Sequence, residues 1–213
     1  MSVIENIAAN IGKKTRHILD FDDDTEEVVI YGAINLIQTS LIFLLTIIIG
    51  FIFGVFYESL LFIITVSILK KYSGGAHASS PGRCLFMGST ISIGFSLLIS
   101  KILCRQNIWG ITVIGILCVI ISIYIIIKKA PVDSANKPIT SDKMRQRLKR
   151  DSIVTIIICS IVMVIVLIIF KMSPNIVYIK IFECISIGVL WQSITLTKPT
   201  IKFLHKLDSL LPF

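Results

Sequence analysis

Cys84 and His77 are the residues best suited to covalent chemistry in this sequence. They lie seven positions apart in the polar stretch Tyr72-Ser73-Gly74-Gly75-Ala76-His77-Ala78-Ser79-Ser80-Pro81-Gly82-Arg83-Cys84, an island of Gly, Ser and Pro between two long apolar runs. A thiol beside an imidazole is the material of a nucleophile and its base. Pro81 and Gly82 ahead of an apolar run predict that Cys84 falls in the first turn of a helix. There the positive end of the helix dipole, with Arg83 adjacent, favours thiolate over thiol. Gly74 and Gly75 make the preceding loop pliable enough for His77 to fold back towards the sulfur. The imidazole would then take the thiol proton and return it to a leaving amine. Spacing alone also admits a solvated loop histidine and a buried cysteine acting as a small hydrophobe. The loop supplies two soft ligands where zinc takes three or four, so no metal and no cofactor is expected.

A second stretch, Lys128-Lys129-Ala130-Pro131-Val132-Asp133-Ser134-Ala135-Asn136-Lys137-Pro138-Ile139, carries groups that could assist. Asp133 or Asn136 could orient His77 as the third member of a triad. The same residues also suit a rigid turn in which Asp and Asn bond their own backbone. Gln38 and Gln192 are amides within apolar runs, where an unpaired polar group is costly. Gln192, at about the depth expected for Cys84, fits an oxyanion or substrate-backbone contact; helix-to-helix bonding is the plain alternative. Lys180 and Glu183, three residues apart, are expected to pair with each other.

The elements that must position these groups are membrane helices. Of 213 residues 54% are hydrophobic and 16% charged, and the mean hydropathy is +0.88. Several runs reach the roughly 18 residues a bilayer crossing requires. The fold class is therefore all-α, a polytopic membrane protein with about six transmembrane helices. The run from Val28 to Leu69 would be ~63 Å long as one helix, about twice the hydrocarbon core, and must fold back between Gly50 and Glu58. The chain divides as one integral membrane domain, 1–213. Residues 1–27 form an amphipathic interfacial helix and an acidic segment, in which Asp24 and Glu27 read as a capping box. Spans one and two occupy 28–69, the His/Cys loop 70–84, spans three and four 85–127, and a basic loop 128–151. Spans five and six occupy 152–196, and 197–213 is a tail with an amphipathic stub. No early basic region followed by an apolar core suggests a cleaved leader.

The net charge is +8, but its distribution argues against nucleic acid as a partner. Segments on one side of the six spans carry 17 of the 21 Lys and Arg residues, and those on the other carry 4. The positive-inside rule then puts both termini and the His/Cys loop in the cytoplasm. The basic segment Ser141–Arg150 reads as an anchor on anionic lipid, with docking of an acidic peptide as the alternative. Four of the five cysteines, Cys104, Cys118, Cys159 and Cys184, lie in or beside apolar runs and imply no disulfide framework.

Tyr72-Ser73-Gly74-Gly75-Ala76-His77 with Cys84, followed by Ala130-Pro131-Val132-Asp133 and Asn136-Lys137-Pro138-Ile139, resembles the AgrB family over nearly the whole chain. The resemblance implies a multi-pass cysteine endopeptidase of a bacterial cell membrane, with its active site facing the cytoplasm. Its partner would be an AgrD-type precursor peptide, whose C-terminal part is removed and whose remainder is closed into a thiolactone or lactone for quorum sensing. His77 would be the base and Cys84 the nucleophile, with Lys70, Lys71 and Gly75 supporting the site. A homodimer is also implied. The rival from another class is a small peptide exporter, but the chain lacks an evident internal repeat.

Overall fold

A computed structural model describes residues 3–20, 22–76, 78–133 and 141–211. Eight α-helices account for most of them. They are α1 (Val3–Leu19), α2 (Asp23–Ile52), α3 (Phe56–Ser73), α4 (Pro81–Lys101), α5 (Ile108–Lys129), α6 (Asp142–Met172), α7 (Ile176–Ile194) and α8 (Lys198–Ser209). A short 3₁₀ turn, Leu103–Arg105, follows α4. Helices α2, α4 (with that turn), α5, α6 and α7 are long and apolar enough to cross a membrane. The remaining helix of the expected six is α3. Its 18 residues span ~27 Å, close to a hydrocarbon core of about 30 Å, and its charges lie near its ends. The chain is a multi-pass membrane protein.

Local sequence explains where the helices start and turn. Asp22 caps α2 by accepting the Thr25 N–H at 3.0 Å. The helix therefore opens two residues before the expected Asp24 box and takes Asp23, Asp24 and Glu26 into its first turn. Val28–Leu69 folds back at Phe53-Gly54-Val55, where Gly54 has φ +67°, a region costly for residues with a Cβ. The basic stretch before the fifth span is helical and continuous with it, because α6 begins at Asp142.

Amphipathic α1 packs along the start of α2. Arg16 pairs with Asp23 and, at 2.9 Å, with Glu26. The hydrogen bond that Arg16 donates to Glu26 and the charge of Asp23 raise the Arg16 pKa further.

Helix α7 is the hub of the bundle, in contact with α3, α5 and α6. Phe182, Ile185 and Val189 join Leu69, Ile111, Ile126, Ile156 and Met163 in the main core. Phe182 lies against Gly115 of α5, on ground that a Cβ would occupy. A second cluster stacks Phe62 of α3 on Phe95 of α4 (5.2 Å between centroids) and sets Trp191 of α7 at a tilt against Phe95 (5.1 Å). The outer faces of α5 and α6 expose Ile116, Ile120, Ile158, Ile161 and Ile165, as helices facing lipid do.

The expected pairing of Lys180 with Glu183 is overturned. Lys180 Nζ reaches across the bundle to Glu58 Oε1 at 2.6 Å and donates to Ser100 Oγ at 2.9 Å, tying α7 to α3 and α4. Glu58 begins α3 where the chain returns into the bundle, so its carboxylate meets the ammonium, while Glu183 points elsewhere and is 6% exposed.

Two outcomes follow from these contacts. Lys180→Met strands the Glu58 carboxylate and lowers stability by about 3 kcal/mol, as loss of one member of a buried pair does. Adding Glu58→Gln recovers part of that loss, which thermal melting in detergent would detect. Hydrogen bonds from Thr25 hold the Asp22 carboxyl below its ordinary pKa. The stability contributed by this cap is complete above the ordinary carboxylate pKa and disappears as pH falls through the depressed value. Spin-label mobility at the start of α2 should rise over that acidic range and stay flat between neutrality and pH ~5.

Candidate active site

Cys84 stands in the first turn of α4, as its sequence context predicts. Ser80 is the N-cap, its Oγ accepting the Arg83 N–H at 3.3 Å, and Pro81 occupies the first helical position. Such a start suits Pro, whose missing N–H would have no intrahelical partner. The Cys84 N–H closes the turn on the Ser80 carbonyl at 3.1 Å. The thiol is free and half-buried. It lies on the wall of a cavity of about 1220 Å³, larger than the ~300–1000 Å³ usual for small-molecule sites.

The cavity brings together residues that are far apart in sequence. One end gathers Cys84, Lys70, Lys71, Gly74, Asp133 and Gln192, and Asp24 and Glu27 of α2 also line it. Tyr31, Asn35, Gln38 and Thr39 recur at helical spacing down one face of α2 and line it further along. Asn35 bonds the Tyr31 carbonyl at 2.9 Å. Ile42, Phe62, Ile63, Val66 and Ile91 complete an apolar lining.

The backbone leading to the site is tied at each step. Gln192, 2% exposed, donates one Nε2 proton to the Gly74 carbonyl at 2.8 Å and the other to Ser73 Oγ at 3.1 Å. An amide nitrogen has two protons, so this arrangement leaves none for an oxyanion. Gln192 here positions the loop. The Val132 N–H donates to the Ser73 carbonyl at 3.0 Å, forming a one-residue parallel bridge between Gly74 and Val132. Lys70 Nζ reaches the Ala76 carbonyl at 3.4 Å. Lys71 is exposed, its Nζ 5.5 Å from the Tyr72 ring centroid.

The double glycine is required by these contacts. Gly74 has φ +70° and ψ −148°, a region essentially reserved for glycine. A Cβ there would collide with the Val132 carbonyl. At Gly75, φ +133°, a Cβ would crowd Thr195 Oγ1 and Gln192 Nε2 at 3.3 and 3.4 Å.

Other expected site residues have further partners. Asp133 accepts from Arg145 at 2.9 Å, fastening the segment after α5 to α6. Arg83 turns away from the cavity: its guanidinium donates to Ser79 Oγ at 3.1 Å, the Asp208 carbonyl at 3.1 Å and the Leu211 carbonyl at 2.9 Å. It supports the loop. His77 and Asn136 lie outside the described residues. Ser73, Val132 and Asp208 are contributors that the sequence did not single out. Asp208 is the single acid in a tail containing Lys198, Lys202 and Lys206, a signal for an internal partner.

The chain matches the family model described as "Accessory gene regulator B" over residues 4–196. It is 36% identical over 196 residues to "Putative AgrB-like protein 2" of Clostridium perfringens (strain 13 / Type A), covering 92% of each chain. A "Putative AgrB-like protein" of C. perfringens strain SM101 is equally similar, at 36% over 92% of each. A third, "Putative AgrB-like protein 1" of strain 13, is 30% identical over 73% of this chain and 78% of its own. No solved structure matches.

Replacing Gly74 with Ala should distort or release the bridge to Val132, costing about 1–3 kcal/mol. The matched control is Gly82→Ala in the first turn of α4, where a Cβ meets nothing and helix propensity gains up to about 1 kcal/mol. Thermal melting of the two variants side by side would check both signs.

Proposed function

The chain belongs to the AgrB family, and from that premise we propose that it is a membrane-embedded cysteine endopeptidase that cuts and cyclises an AgrD-type precursor peptide. Family membership supports a role in processing an agr-type quorum-sensing peptide. The observation that carries the finer reading is the setting of Cys84, a half-buried thiol in a helix's first turn on the wall of a cavity large enough for a peptide.

The reaction is an acyl transfer. Cys84 Sγ, its proton taken by His77, attacks the carbonyl carbon of the scissile bond. As the tetrahedral species collapses, the C–N bond breaks, His77 protonates the leaving amine, and the N-terminal part of the peptide remains as a thioester on Cys84. A thiol or hydroxyl within that bound part then attacks the thioester carbonyl. Its proton passes to His77 and on to the departing sulfur, and the ring closes as a thiolactone or lactone. Holding the internal nucleophile beside the thioester makes this step intramolecular, which favours the ring over hydrolysis. Scarce water at the bilayer edge acts in the same direction.

The cavity walls suit such a substrate. Side-chain amides and hydroxyls from Asn35, Gln38 and Thr39 supply partners for a peptide backbone that would otherwise enter an apolar environment unsatisfied. Lys71 offers a positive charge to an acidic part of the peptide, with Asp24 and Glu27 available to a basic part. Lys70 shares its charge with the loop carbonyl of Ala76. The alternation of the helices and the distribution of Lys and Arg support a cytoplasmic position for this end of the molecule.

The test is mass spectrometry of an AgrD-type precursor incubated with the protein in liposomes. Wild type should yield the cleaved C-terminal fragment, a thioester adduct at Cys84 and a ring lighter than the linear acid by one water. Cys84→Ala should yield none of these, and His77→Ala should slow cleavage by ~10²–10⁴. Linear acid as the main product would overturn cyclisation. Cleavage by Cys84→Ala would overturn the nucleophile.

A further inference from the structure

The C-terminal helix α8 ends against the turn that carries Cys84. Asp208 Oδ2 accepts the backbone N–H of Ser79 at 3.1 Å. The Asp208 carboxylate is 3.9 Å from the Arg83 guanidinium, and Arg83 also binds the carbonyls of Asp208 and Leu211. Asp208 is 5% exposed. These contacts flank Cys84 on its N-terminal side: Ser79 precedes the N-cap Ser80, and Arg83 immediately precedes the thiol. Their partners Asp208 and Leu211 lie beyond residue 196, where the match to the family model ends.

A buried carboxylate is costly to desolvate, and a short surface helix gains little from a charge that is merely tolerated there. Its position is explained by what it holds. Ser79 lies in an irregular segment whose N–H needs an acceptor, and a charged acceptor binds more strongly than a neutral one. Among the described residues, the buried Asp208 Oδ1 has no hydrogen-bond partner. The other oxygen, Oδ2, is the one engaged with the loop.

We propose that α8 is a latch on the active turn, with Asp208 a positioning residue for Cys84. By fixing Ser79 and, through its helix end, Arg83, it sets the direction in which the first turn of α4 presents the thiol to the cavity. It touches neither substrate nor sulfur in this role. The inference rests on the peptidase reading for its effect on rate, whereas the latch itself is independent of it.

The test uses the full chain in liposomes with Asp208→Asn, Asp208→Glu and wild type. Hydrogen exchange followed by mass spectrometry reads the peptide covering Ser79–Cys84. Asp208→Asn should raise exchange there roughly ten-fold, the effect of replacing a charge-assisted hydrogen bond by a neutral one, while segments in α5 and α6 stay unchanged. Cleavage of the precursor should show kcat reduced roughly 10- to 100-fold with KM within two-fold, because a misplaced nucleophile slows reaction without weakening binding. Asp208→Glu should restore part of both. Unchanged exchange at Ser79–Cys84 overturns the latch, and raised exchange with unchanged kcat overturns the positioning role. A wild type that cleaves no precursor defeats the peptidase reading, and the exchange result then decides the latch by itself.

Discussion

The bonds from Gln192 to Ser73 Oγ and the Gly74 carbonyl are the contact on which the site's architecture depends. An irregular backbone at the edge of a helical bundle must find partners for its N–H and C=O groups among its neighbours. Between the end of α3 and the start of α4 those partners come from Gln192 on α7, Val132 after α5, Lys70 on α3 and Asp208 on α8. Glycine at 74 and 75 is what allows them to approach. Without a Cβ, the backbone can adopt positive φ and let Val132 and Thr195 come close.

The bundle makes that convergence possible. Helix α7 is buried on several sides and fixes Gln192 at a defined depth. Its core contacts with α3 and α5 hold the ends from which the loop and the Pro131–Asp133 segment emerge. At the other end of the bundle the Glu58–Lys180 pair ties α3 to α7, with Ser100 of α4 sharing the ammonium. Apolar packing sets the spacing of the helices, and a few polar contacts set their register. Such division of labour suits a protein in lipid, where apolar surface alone gives little preference for one helix neighbour over another.

Much of this was legible in the sequence. Uninterrupted apolar runs mark the helices, and the Gly/Ser/Pro island marks the turn that leads into α4 with Cys84 in its first helical turn. That Val28–Leu69 folds back between Gly50 and Glu58 follows from its length, and the structure puts the turn at Phe53-Gly54-Val55. Long-range partners were harder to read, because a polar residue in a helix does not disclose which other helix it faces. Lys180 has an acid three residues away, yet its partner is 122 residues distant. Gln192 reads as an amide at the right depth, but whether it meets a substrate or a loop carbonyl depends on the path between α3 and α4. Asp208 gave a weaker signal, since its neighbours in sequence are those of an ordinary amphipathic stub.

The Ser79–Asp208 contact also bears on how the protein is made. Its two residues are separated by 129 positions, so Cys84 is synthesised long before the acid that steadies its turn. Gln192 follows Gly74 by 118 positions. The helices α2 to α4 can enter the bilayer as they emerge, but the turn between α3 and α4 acquires its bonds to Gln192 and Asp208 only once α7 and α8 have been made. The order of the chain thereby delays assembly of the thiol's surroundings until α7 and α8 have been made.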